Sequence, residues 1–307
     1  MTDVSADHDR APARSWSVSQ SHILAECPRQ WWFRYVAAAR PAQPRAVKQI
    51  IGSAIHAGLE AAYRAVQAGK AIPVSRGGFR HARGAPLAAT AGLAALAAFS
   101  AYWDANGAGV REYEREDAER LLLELLEALI TPHAGEILGV EEKFTLRTMP
   151  QDEVPPTRVV GVMDLVLNTT NEMDKSIHIR DWKLGPVPTD PAELENNVQL
   201  CTYVAAATYR WPWAKRIAVG LYSIRERREI VTALHPDSVE HAARQLSYDA
   251  ETARLREERK WVEPTPGEHC GGCRFRSYCP AMNKTKPPVV SGVDVAAERA
   301  RLAQLLH

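Results

Sequence analysis

The period of the apolar positions changes twice along the chain. Over residues 19–39 apolar and aromatic side chains recur at helical spacing and stop short of Pro41, which predicts one helix there. A second helix is predicted over Val47–Gln67, an alanine-rich third over 87–103, and a charged amphipathic fourth over 115–130. Residues 71–85, with Gly77, Gly78 and several Arg and His, read as a loop. The texture then turns to short stretches rich in Val, Ile, Leu and Phe. "ILGVEEKFTL", "TRVVGVMDLVLN" and "SIHIRDWKLG" predict three successive strands in a meander. Helical spacing returns in "ELENNVQLCTYVAAATYRW". Two more strands are predicted in "RIAVGLYSIRE" and "REIVTAL", then a long polar helix over 236–260.

This order of helices, small sheet, helix, strands and helix predicts a mixed α/β (α+β) core with a helical insertion, not a string of βαβ repeats. Residues 1–15 are expected to form a disordered tail and 283–307 a mobile C-terminal tail. Between them a single domain is expected over 16–282. Its mainly helical part is 16–134, its sheet core 135–262, and a cysteine loop over 263–282 closes it.

Composition narrows the class only modestly. The 307 residues are 46% hydrophobic, with no apolar run long enough to span a bilayer, so no membrane partner is expected. The opening "MTDVSADHDRAPARSWS" has no apolar signal core, which makes a cytoplasmic location the expectation. Net charge is +1, so a nucleic acid must be met by local basic patches. Arg29, Arg34, Arg40, Arg45, the "RERR" of residues 225–228, Arg274 and Arg276 are the candidates, each with a solvated charged face as its plain alternative.

The strand "HIRDWKLG" carries the first sign of chemistry. Alternate side chains of a strand share a face, so Asp181 and Lys183 point one way and Trp182 the other. "GVMD" sets Asp164 in the neighbouring strand, and "VEEKF" offers Glu141 and Glu142 on opposite sides. Carboxylates converging from adjacent strands make an oxygen cage suited to a hard divalent ion, Mg²⁺ or Mn²⁺. A lysine beside it stabilises charge developing on phosphate. An isolated Asp-x-Lys would more often be a salt bridge; the order of the several elements is what weighs here.

That order resembles the PD-(D/E)XK nuclease superfamily, and most closely its RecB-like branch. "GVMD", then "DWK", then "QLCTY" follow the branch's Gly-x-x-Asp, Asp-x-Lys and Gln-x-x-x-Tyr. Glu141 with Phe144 matches its Glu-x-x-Phe, and "GSAIH" gives Gly52 and His56 in its Gly-x-x-x-His context. The resemblance runs from Ser17 to Pro280 and implies a restriction-endonuclease-like core, a central mixed sheet flanked by helices. It also implies that His56, Asp164, Asp181 and the main-chain carbonyl of Trp182 hold the metal. Lys183 would then be the catalytic lysine, with Glu141, Gln199 and Tyr203 completing the centre. Without it, His56 would be read as a satisfied helix histidine.

Five cysteines in a reducing compartment point to metal rather than disulfides. "HCGGCRFRSYCP" places Cys270, Cys273 and Cys279 in one loop, while closed thiolate sites use four ligands. Cys201 lies mid-helix and reads as a small buried residue. Cys27 sits in "SVSQSHILAECPRQWWFRYV", which resembles the N-terminal signature of AddB-type and CRISPR-associated adaptation nucleases. There one early cysteine joins three late ones around a [4Fe–4S] cluster, which implies the set Cys27, Cys270, Cys273 and Cys279, with structural zinc as the rival. Trp31, Trp32 and Phe33 read as core, since consecutive helix positions diverge.

The function implied is a metal-dependent deoxyribonuclease, exonuclease on single-stranded ends favoured, in DNA repair, recombination, CRISPR adaptation or phage DNA processing. A non-cleaving DNA-end-binding adaptor and a zinc-stabilised interaction domain are the alternatives. The sequence has no Gly-x-x-x-x-Gly-Lys-[Ser/Thr] loop, so strand separation is expected of a separate helicase or recombination protein.

Overall fold

The computed structural model describes residues 15–39, 45–69, 91–129, 136–150, 154–172, 174–258 and 262–282. The loop expected over 71–85, Arg40, and, apart from Ser15, the two tails lie outside the described residues. In chain order the elements are α1 (Val18–Glu26), α2 (Pro28–Tyr35), α3 (Val47–Gln67), α4 (Ala91–Asn106), α5 (Glu112–Ala128), β1 (Ile137–Arg147), β2 (Arg158–Asn168), β3 (Ser176–Lys183), α6 (Val198–Arg210), β4 (Arg216–Ser223), β5 (Arg228–Thr232) and α7 (Pro236–Glu258). Among the described residues no helix is long and apolar enough to cross a membrane.

The five strands form one mixed sheet in the order β1-β2-β3-β4-β5, in keeping with the α/β core expected of the sequence. β2–β3 and β4–β5 are antiparallel, whereas β3–β4 is parallel. A parallel pair needs a crossover, and α6 supplies it. The strand that carries the Asp-x-Lys is therefore central, paired along its whole length with β4 and from Ile177 to Arg180 with β2.

One expectation needs correcting. The single helix expected over 19–39 is two, broken at Cys27, whose backbone is extended at φ −157° and ψ 106°. Pro28 is the cause. It takes the first position of α2, where its missing N–H leaves no bond unmade, and its ring forces the preceding residue out of the helical region. Helical periodicity alone does not register that break.

The chain forms two compact units. One takes its described residues from Met1–Ala46, Thr145–Val160 and Ala243–His307. In it Ser17 caps α1 by accepting from Gln20 N, and Trp16 bridges to Val159. The buried indoles are satisfied: Trp16 Nε1 donates to Ser21 Oγ at 2.8 Å and Trp31 Nε1 to Gln20 Oε1 at 3.3 Å. Trp31 and Phe33 are buried, as their reading as core predicts, whereas Trp32 is only half-buried.

The second unit comprises Val47–Phe144 and Gly161–Ala242. Its core gathers Ile55, Leu59 and Tyr63 of α3, Phe99 and Trp103 of α4, Leu122 and Leu125 of α5, and Leu165, Trp182 and Tyr222 of the sheet. Gly58 lets α3 and α5 approach closely; a Cβ there would stand 2.5 Å from Leu122 Cδ2. Burying these large side chains stabilises the unit by about 1.5–3 kcal/mol each.

Candidate active site

All catalytic candidates fall in the second unit. β3 shows strict alternation: Asp181 and Lys183 share one face, His178, Arg180 and Trp182 the other. The β2–β3 register runs from Asn168↔Ile177 to Leu165↔Arg180, and Asp164 and Asp181 lie one step beyond that last pair. There Asp164 Oδ2 accepts a 2.8 Å hydrogen bond from the Trp182 amide.

Asp181, only 2% exposed, anchors a closed ring of side chains. Tyr203 Oη donates to Asp181 Oδ1 at 3.0 Å, Gln199 Nε2 donates to Tyr203 Oη at 2.8 Å, and Lys183 Nζ donates to Gln199 Oε1 at 3.0 Å. The ring closes where Lys183 Nζ stands 2.6 Å from Asp181 Oδ2. That oxygen is buried, and the contact lacks the geometry of a hydrogen bond, so charge alone pairs it. Gln199 and Tyr203 reach the same point because they are four apart on α6, whose first turn is capped by Asn197 accepting from Leu200 N.

The second cluster comes from three elements. His56 of α3, Glu141 of β1 and Asp164 of β2 bring ligand atoms within 4.8 Å of one another. His56 Nε2 lies 3.0 Å from the Trp182 carbonyl, and Nδ1 lies 3.7 Å from Asp164 Oδ2. With Nε2–H donating, Nδ1 keeps its lone pair toward the carboxylates. Glu141 has a left-handed φ of +48°, and the burial alternation of β1 slips beside it at Gly139 and Val140. This bulge-like kink aims the side chain, a strained backbone of the sort that gathers at functional centres. Glu142, its neighbour, turns away to pair with Arg210 at 3.1 Å.

Protonation follows from this crowding. Burial first, then the Asp164 and Glu60 carboxylates, push Glu141 up to about 7. Burial and then Asp181 hold Asp164 well above the usual carboxylate range. Burial lowers His56. Crowded carboxylates short of positive charge, an imidazole lone pair and a buried oxygen without a hydrogen bond fit a hard divalent cation. The structure thus brings His56, Glu141 and Asp164 together, and places Asp181 with Lys183, Gln199 and Tyr203 rather than in that three-residue group. The Trp182 carbonyl faces His56.

Two residues explain why the spacing takes the form it does. A Cβ on Gly161 would meet Phe144 Cζ at 2.3 Å, so the phenyl ring lies in the space that glycine leaves. The ring then meets Tyr203 edge-on at 6.1 Å. Phe144 and Gly161 are thus the packing beneath Tyr203. On the reverse face, sequence reasoning missed a buried trio: Arg180 bonds both oxygens of Glu229 at 2.8 and 2.6 Å, and His178 Nε2 stands 3.1 Å from Glu229 Oε1. Nothing local announces it, because Arg180 and Glu229 lie 49 residues apart.

The first unit holds the cysteines. Cys27, Cys270, Cys273 and Cys279 line one open cleft together with Arg29, Phe33, His269 and Phe275. Cys27 is presented by the helix break at Pro28, and the other three by short 3-10 turns over Glu268–Gly271 and Arg276–Tyr278. Phe33 of α2 stacks on Phe275 at 5.6 Å and meets Tyr278 at 6.3 Å, which holds that loop against the helix. Cys201 stands apart, buried in α6 with its thiol 3.7 Å from the Glu195 carbonyl and burial pushing it up to about 11.

The basic patches divide. Arg227 pairs with Glu124, and Arg228 donates to the carbonyls of Val187 and Pro188, so much of "RERR" serves the fold. Arg29 is buried, its guanidinium over the Trp32 and Phe33 rings at 4.6 and 5.0 Å. Burial and the nearby charges of Arg45 and Arg34 lower Arg274, which marks a concentration of cations in the first unit.

No curated protein matches the sequence. Among solved structures, the crystal structure of a provisionally named exonuclease from Eubacterium rectale is similar in fold, with a TM-score of 0.52 and 11% identity over 90% of this chain and 91% of that one. The structure of SSO0001 matches at a TM-score of 0.30 and 14% identity over 47% of this chain and 61% of that one, too slight a likeness to build on. The family model of the PD-(D/E)XK nuclease superfamily matches residues 15–280. That match takes in every strand, the acidic cluster, the lysine ring and all four cavity cysteines, and on it the chain belongs to the PD-(D/E)XK nuclease superfamily.

Proposed function

We propose that this nuclease is a divalent-metal-dependent deoxyribonuclease of the RecB-like, iron–sulfur branch, acting as an exonuclease on single-stranded DNA ends. The observation that carries the catalytic reading is the contrast inside one site: the crowded Glu141 and Asp164 carboxylates beside the His56 imidazole, next to a lysine held by Asp181 and Gln199. His56, Asp164 and Asp181 would hold Mg²⁺ or Mn²⁺, and Glu141 joins them by its geometry. When bound, the ion supplies Lewis-acid stabilisation of phosphate charge and a more acidic water. Lys183 keeps its proton at Nζ between Asp181 and Gln199 and offers it to the phosphate. Tyr203 and Gln199 orient the pair, and Phe144 keeps water from beneath it.

The exonuclease preference is supported by the name of the Eubacterium rectale neighbour and by the RecB-like motif order. For the cysteines, the reading is a structural [4Fe–4S] cluster. Cys27, Cys270, Cys273 and Cys279 line one cavity. One early cysteine with three late ones resembles the arrangement of the iron–sulfur nucleases, which favours the cluster, and structural zinc is the rival. Visible absorption and iron content of freshly purified protein decide between them; zinc in stoichiometric amount with no visible band would overturn the cluster.

The deciding experiment for the activity is digestion of end-labelled single- and double-stranded DNA with Mg²⁺ or Mn²⁺, wild type against Lys183→Ala. Mononucleotide release from single strands, lost in the variant, is expected. Equal cleavage by both proteins overturns the assignment of Lys183, and the absence of metal-dependent cleavage by the wild type favours the DNA-end-binding adaptor instead.

A further inference from the structure

The reverse face of β3 buries three ionisable side chains where apolar ones would pack at less desolvation cost. Arg180, Glu229 and His178 are each less than a fifth exposed, at 14%, 17% and 13%. The space they occupy is built into the sheet. Gly220 is the ladder partner of Arg180, and a Cβ there would stand 2.9 Å from Glu229 Oε1 and 3.0 Å from the Ile230 carbonyl. Arg180, so clamped, lies over the rings of Trp182 and Tyr222 at 5.2 and 5.4 Å. Tyr222 meets Trp182 edge-on at 5.2 Å, and Tyr63 of α3 stacks on its other side at 6.1 Å. The Trp182 ring is held on several sides, and the backbone of the same residue touches both candidate ligands. Its N–H donates to Asp164 and its carbonyl meets His56.

We propose that Arg180, clamped by Glu229 in the room left by Gly220, is a positioning residue that fixes the backbone of Trp182, its N–H and its carbonyl, and through it the orientation of His56 and Asp164 toward the metal. The inference rests on the reading of those two residues as ligands. Arg180 touches neither substrate nor ion; it acts through the indole. Supports of this kind change metal affinity by about tenfold or more when removed, even where the ligands themselves are intact.

The test is Mn²⁺ binding to the full chain, followed by electron paramagnetic resonance at low temperature where the variants stay folded by circular dichroism, beside steady-state cleavage. Glu229→Gln keeps the shape and loses the charge, Gly220→Ala displaces the carboxylate without removing any charge, and Arg180→Lys keeps a cation over the rings without the two-pronged grip. About tenfold weaker Mn²⁺ binding and a lower kcat with unchanged KM for DNA are expected of the first two, with Arg180→Lys intermediate. Asp164→Asn is the control. If it loses Mn²⁺ while Glu229→Gln and Gly220→Ala bind as the wild type does, the positioning role alone falls. If Asp164→Asn itself binds Mn²⁺ normally, the ligand reading falls and the positioning role falls with it.

Discussion

The two faces of β3 solve the same problem in opposite ways. Both bury charge. On the reverse face the charges match: burial would raise the Glu229 carboxyl, but His178 and Arg180 more than offset it and hold it down at about 2. On the front face they do not match. Glu141 is pushed up to about 7 and Asp164 is raised, by burial first and then by neighbouring carboxylates that the nearby cations do not offset. A satisfied cluster stabilises its surroundings, whereas an unsatisfied one costs stability and persists where a ligand completes it. The difference in direction between Glu229 and Asp164 separates scaffold from site better than burial does.

Substitutions should break that comparison cleanly. The largest effect is expected at the front: Asp181→Ala or Lys183→Ala should lower kcat by about a thousandfold or more, measured in single-turnover cleavage. Asp164→Asn should do the same while leaving the metal-free protein as stable as the wild type or more so in thermal melts, because it removes a repelled carboxylate. At the back the balance reverses. Glu229→Gln should cost about 3 kcal/mol of unfolding free energy in urea, since it leaves Arg180 buried with half its partner. An Asp164→Asn protein much less stable than wild type would blur the distinction.

Smaller effects sharpen it. Tyr203→Phe removes one bond to Asp181 and the acceptor of Gln199, and about a tenfold fall in kcat with unchanged Mn²⁺ affinity is expected. Acidity should act on the faces with opposite sign. Glu229, depressed from 4.5 to about 2, contributes stability above pH 4.5 that is lost as pH falls toward 2, so the gap between wild type and Glu229→Gln should close over that window. Glu141, raised from 4.5 to about 7, binds its proton more tightly folded than unfolded. Metal-free stability should therefore decline as pH rises from 4.5 to 7, and Mn²⁺ affinity should climb over the same range and level off above it.

The front face was largely legible in the sequence. Period-two alternation places Asp181 with Lys183, period-3.6 spacing places Gln199 with Tyr203, and both are local rules that the structure follows. The spacing to Phe144 singles out Glu141 over Glu142, and in the structure Glu141 lies with His56 and Asp164 while Glu142 pairs with Arg210. The reverse face was not legible, because a pair 49 residues apart on strands with ordinary alternation leaves no local mark. The helix break at Cys27 was marked by Pro28 and overridden by the strength of the surrounding periodicity, although a proline at that point constrains the residue before it wherever it occurs.

The lysine ring also has a kinetic side. Its four links span 2, 4, 16 and 22 residues, all within the segment from Asp181 to Tyr203, whereas the His56–Trp182 link spans 126. Closing a short loop sacrifices less chain entropy than closing a long one, and local contacts form sooner. On refolding, the lysine ring is therefore expected to assemble as an early local nucleus. The trio of His56, Glu141 and Asp164, waiting on α3 to dock from far along the chain, completes last, so Lys183 is seated before the three groups that could share an ion have met.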